Sequence, residues 1–86
     1  MPELSRFYGI VIQMYPREHG LPHFHARYSG ATAIIGIANL YVYESDLPRR
    51  ALSLVHEWAE LHQGELGECW DRIRNGQEPG KIDPLP

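Results

Sequence analysis

From Ala51 to Ile73 the apolar residues keep one helical phase, and this stripe limits the possible folds more than any other feature of the chain. At ~100° per residue, Ala51, Leu52, Leu54, Val55, Trp58, Ala59 and Leu61 share one broad face opposite Arg49, Glu57 and Glu60. Leu66, Cys69, Trp70 and Ile73 continue it. A straight helix from Arg49 to Arg74 would run ~40 Å. A body built from 86 residues is only ~30 Å across. Gly64 and Gly67 lie midway, each costing ~1 kcal/mol relative to Ala inside a helix. Two arrangements satisfy these limits. In one, the helix bends or breaks near Gly64 and returns Trp70 and Ile73 to the core. In the other, the far end, with Leu66, Trp70 and Ile73, is an interface for a small partner protein or a second copy of the chain.

The first half has a different period. Arg6 to Tyr15 alternates, with Tyr8, Ile10, Ile12 and Met14 on one face, and stops at Pro16. After Pro22, Phe24, Ala26 and Tyr28 face one way and His23, His25 and Arg27 the other. Ser29-Gly30 is a hairpin turn signal, Thr32 to Ile37 is rich in β-branched residues, and Ala38-Asn39 leads into Leu40 to Tyr43. Connections this short join antiparallel neighbours. The predicted architecture is α+β: a four-stranded antiparallel meander with one face packed by the C-terminal helix that bends or breaks near Gly64. It forms one domain over residues 1–86, with the sheet at about 6–44, the helical part at about 47–75 and an extended tail at 76–86. Asp46 ahead of Pro48 marks the helix start, Asn75-Gly76 its end, and Ile82 and Leu85 anchor the tail.

With 43% hydrophobic and 22% charged residues the composition is that of a globular domain. The single cysteine, Cys69, excludes an internal disulfide and a four-thiolate metal site, and reads as a small buried side chain. No apolar run reaches the ~20 residues of a membrane span, and the N-terminal residues lack the blocks of a signal peptide, so a cytoplasmic protein without membrane contact is expected. The net charge of -3 conceals an asymmetry. Residues 1–43 carry a balance of +1 and three of the five histidines, and residues 44–86 a balance of -4. A polyanion such as RNA would meet the first half.

Chemistry concentrates in Pro22-His23-Phe24-His25-Ala26. Histidines at i and i+2 on a strand point the same way, ~6–7 Å apart at their roots, and Arg27 continues their row. Tyr41 or Tyr43, and Gln13 or Tyr15, are candidate neighbours on adjacent strands. Three readings remain open. His23 and His25 could form an acid–base pair for metal-independent RNA cleavage, with Arg27, Tyr41 and Tyr43 binding substrate and no cofactor required. They could ligate a transition metal such as zinc, with His19 or Glu18 from the preceding turn as a further ligand. Or they form only structural or partner contacts. On the helix, His56 and Glu60 form an exposed i, i+4 pair and His62 falls near the middle of the apolar stripe.

Ser5-Arg6-Phe7-Tyr8-Gly9-Ile10, Pro22-His23-Phe24-His25-Ala26, and Leu47-Pro48-Arg49-Arg50-Ala51-Leu52 followed by Glu57-Trp58 resemble the uncharacterised prokaryotic family DUF4160 across nearly the whole chain. The resemblance makes His23, Phe24 and His25 signature positions and puts Trp58 in the family's helix motif. It implies a small protein encoded beside a second small protein, its binding partner, in a toxin–antitoxin-like module. The expected function is therefore a partner-binding component carrying a ribonuclease site at His23 and His25. The alternative is a non-catalytic metal-binding or regulatory protein using His23, His25 and His19.

Overall fold

The computed structural model describes residues 3–86. Five strands form one antiparallel sheet in sequence order: β1 (Glu3–Phe7), β2 (Ile10–Gln13), β3 (His23–Tyr28), β4 (Ala31–Gly36) and β5 (Val42–Ser45). Two helices follow, α1 (Arg49–Leu61) and α2 (Gln63–Arg74). The α+β meander is as expected, but it has five strands instead of four. The difference arises at Tyr8-Gly9, where both residues take positive φ (51° and 80°) and the chain reverses. Positive φ at both central positions is the type I′ hairpin geometry, whose twist matches that of the flanking strands. Phe7 therefore pairs with Ile10 and joins the core, while Tyr8, expected on the core face, is 59% exposed.

Across β3 the register is continuous, Phe24 opposite Ile35 and Ala26 between Ile12 and Ala33. Phe7, Ile10, Ile12, Phe24, Ala26, Ala33 and Ile35 form the buried face. The indole of α1 residue Trp58 packs here, its ring centroid 5.4 Å from that of Phe7 and 6.0 Å from that of Phe24. Burying such a side chain removes 150–250 Å² from water, so this one residue binds helix to sheet.

The α1 stripe is narrower than predicted. Ala51, Val55, Trp58 and Ala59 are buried, Leu52 and Leu54 are half-buried, and Leu61 is exposed. Asp46 is not the helix cap. That position belongs to Pro48, whose carbonyl begins the helical bonding by accepting from Leu52 N–H. Asp46 instead holds Thr32 at the β4 edge, its Oδ1 accepting from Thr32 N–H at 2.7 Å while its own N–H donates to Thr32 O. The two helices are separated at His62 (φ -125°), and both Gly64 and Gly67 lie within α2. Leu66, Trp70 and Ile73, the residues expected at a partner interface, are 0%, 3% and 4% exposed within the single chain. They are spent on the protein's own core, which corrects that assignment.

A Schellman arrangement ends α2, with Gly76 at φ 76°, Gly76 N–H donating to Ile73 O and Gln77 N–H to Arg72 O. The remaining chain crosses back to β1. Ile82 N–H donates to Leu4 O, Trp58 Nε1 donates to Asp83 O at 2.8 Å, and Ile82 and Leu85 are buried. Those two side chains anchor the tail as the sequence predicts.

Candidate metal centre

Strand β3 fixes the two histidines on the face opposite Phe24, because alternate residues of a strand point to opposite sides. His25 pairs across the sheet with Gln13 on β2 and Ile34 on β4, and His23 with Gly36. The segment from Pro16 to Pro22 then loops back past this row. Its Glu18 directs one carboxylate oxygen, Oε1, at both rings. His23 Nε2 lies 3.0 Å from it, and His25 Nε2 makes a short contact with the same atom. The side chains are 11% (His23), 16% (His25) and 34% (Glu18) exposed, so the cluster opens to solvent on the carboxylate side.

Among the described residues these three form a His/Glu group whose ligand atoms all lie within 4.8 Å of one another. The loop thus brings Glu18, and not His19, to the two histidines. His19 is exposed and lines a neighbouring groove with Pro16, Arg17, Glu18, Gly20 and Arg74. Sequence alone offers both residues, and only the path of the loop decides between them.

Several groups hold the histidines in place. His23 Nδ1 faces Leu21 O at 2.8 Å, and its ring lies against the indole of Trp70, centroids 5.2 Å apart. The Tyr15 and His25 rings meet edge to face, centroids 4.5 Å apart, and Tyr15 itself donates to Gln13 Oε1 at 3.1 Å. The contact with Trp70 has no sequence signal, since it depends on α2 passing beside the start of β3.

Both ring nitrogens of His23 face oxygen acceptors, and a neutral imidazole carries a single N–H. If Nδ1–H donates to Leu21 O, Nε2 faces the carboxylate with a bare lone pair unless a second proton or a cation lies between them. Fixing one ring nitrogen on a backbone carbonyl while the other points to a metal is the usual second-shell arrangement of ligating histidines. Burial would raise the Glu18 carboxyl pKa, yet hydrogen bonds from His25 and His23 and their charges outweigh it, and the pKa is lowered. Glu18 is thus kept anionic.

The other candidates lie apart from this cluster. Arg27 is on the same face two residues beyond His25, exposed, in a groove of about 300 Å³ with Glu3, Arg6, Val11 and Gln13. Tyr41 and Tyr43 stack edge to face at 5.1 Å and are both exposed. The Tyr43 ring overlies Gly36, the residue paired with His23, where a Cβ would come within 3.1 Å of it. Cys69 is buried, and burial raises its thiol pKa, with Glu65 and Glu68 adding to the effect against Arg72. Burial and a raised pKa disfavour the thiolate that a nucleophile needs. The pair His56 and Glu60 is exposed on α1, and His62 lies against Trp58 and pairs with Glu65 at 2.5 Å.

A model of the family described as Domain of unknown function (DUF4160) matches residues 9–71, a span that contains Glu18, His23, His25 and Trp70. The chain belongs to the DUF4160 family. No curated protein and no solved structure matches it. Among the described residues of this DUF4160 protein, no helix is long and apolar enough to cross a membrane.

Proposed function

We propose that this DUF4160 protein binds one transition-metal ion through Glu18 Oε1 and the Nε2 atoms of His23 and His25. One observation carries the reading: three ligand-type atoms from a strand and its preceding loop converge within 4.8 Å. Two imidazoles and one carboxylate suit zinc, and also iron(II), nickel or copper. Three protein ligands leave a coordination position for water or a further ligand, the pattern of reactive metal centres, whereas structural zinc sites are closed by four protein ligands. The contacts of Trp58 with Phe24 and of Trp70 with His23 support a change of chain direction between α1 and α2, near Gly64.

Metal analysis of untagged protein tests the proposal. Close to one equivalent should be found, lost in Glu18→Gln, His23→Ala and His25→Ala and retained in His19→Ala. Protein that takes up none of zinc, cobalt, nickel or copper would overturn it. RNA cleavage that survives chelation and disappears in His23→Ala would instead make the histidines a metal-free acid–base pair. A partner in a two-protein module would need a surface other than Leu66, Trp70 and Ile73, which are buried.

A further inference from the structure

Beside the Glu18, His23 and His25 cluster lies a separate groove of about 200 Å³, lined by Pro16, Arg17, Glu18, His19, Gly20 and Arg74. Glu18 belongs to both. One side of its carboxylate faces the histidines, while the groove beyond it is bordered by Arg17 from the β2–β3 loop and Arg74 from the last turn of α2. Among the described residues neither arginine has a carboxylate within ion-pair distance, unlike Arg6 and Arg72. Glu18 is the only acidic residue in the lining, and it is already shared with the histidines.

We propose that this groove binds the phosphate group of the ligand that completes the metal centre. The inference rests on the metal reading above and names the chemistry of its substrate. A divalent ion on Glu18 more than cancels the carboxylate charge, so the groove and ion together present a strongly positive site. Guanidinium groups match phosphate oxygens with paired, charge-assisted N–H donors. The volume is below the 300–1,000 Å³ of pockets that enclose whole organic ligands. The groove therefore takes an anionic head group and leaves the rest of the molecule outside. The two arginines come from segments far apart in sequence, so the site forms only when α2 is docked.

Cobalt(II)-loaded protein provides the test, because its visible absorption reports both metal uptake and any change of ligand. Inorganic phosphate should perturb that spectrum saturably. Arg17→Ala and Arg74→Ala should each weaken the phosphate response about tenfold while still taking up cobalt, and Arg74→Lys should restore part of it. A phosphate monoester, phosphoethanolamine, and a short RNA made of phosphodiesters separate the two sources of the group. Perturbation by either supports the site and assigns its source. No response to any of the three probes, or responses unchanged in both arginine variants, would overturn the phosphate site and leave the metal centre standing. Failure to take up cobalt would overturn the metal centre, and with it the phosphate proposal.

Discussion

The indole of Trp70 lies against the imidazole of His23, their ring centroids 5.2 Å apart, and so connects the second helix to the first residue of β3. A metal on His23 would sit within a few ångströms of a fluorophore. Copper(II) or nickel(II) should therefore quench the protein's tryptophan emission saturably, near one equivalent. Quenching should persist in Trp58→Phe and be lost in Trp70→Phe, since Trp58 packs on the other face of the sheet. Equal quenching in the two variants would place the ion elsewhere.

The lowered pKa of Glu18 makes a prediction about acid stability. A carboxyl whose folded pKa lies below its unfolded value contributes stability that is complete above the unfolded value, near 4.5. That contribution is lost as pH falls through the folded value, because the unfolded chain then binds more protons. In metal-free protein, the difference in urea midpoint between wild type and Glu18→Gln should shrink as pH falls below 4.5. Glu3 is also held down, by Arg6, so only the comparison with the variant isolates Glu18. A difference that ignores pH across this window would mean that the carboxylate is unpaired in the folded protein.

The tail is a structural element in its own right. Ile82→Ala should cost about 2–4 kcal/mol, as expected for truncating a large buried aliphatic side chain. Removing residues 81–86 should cost more, since it also leaves the buried Trp58 Nε1–H without its acceptor on Asp83. Urea unfolding would measure both, and an unchanged midpoint for the truncated chain would show that the tail is not docked.

Three glycines should respond in opposite directions. At Gly64 and Gly67 a new Cβ meets nothing within 4 Å, so alanine at either position should stabilise α2 by about 0.5–1 kcal/mol. At Gly9, φ is 80° and a Cβ would come within 3.3 Å of the Tyr28 ring, so alanine should destabilise by about 1–2 kcal/mol. Thermal midpoints for the three variants would show the split. A gain from Gly9→Ala would contradict the turn at Tyr8-Gly9.

Much of this architecture is legible in the sequence because burial imposes period. Alternation along β3 separates the histidine row from Phe24 and Ala26, and the helical phase of Val55, Trp58, Leu66 and Ile73 identifies buried residues across two helices. The first hairpin is misread for a physical reason. Read without its two-residue turn, Arg6 to Tyr15 puts Tyr8 inside and Phe7 outside, and the only local clue is the glycine at Gly9. The candidate site is half legible. The strand period places His23, His25 and Arg27 on one face, whereas Glu18 and Trp70 reach the histidines, and Arg74 the groove beside Glu18, through the path of a loop and the docking of α2. Spacing along the chain cannot encode either.

The bond from Ile82 to Leu4 also bears on self-association. A meander ends in two rims of unpaired backbone, each able to recruit a strand from a neighbour. Here the returning tail bonds to the β1 rim at Leu4, and among the described residues no strand pairs with the outer side of β5. Strand addition through a single rim joins two molecules and then has no second rim from which to grow. An occupied β1 rim thus works against open-ended, edge-to-edge growth.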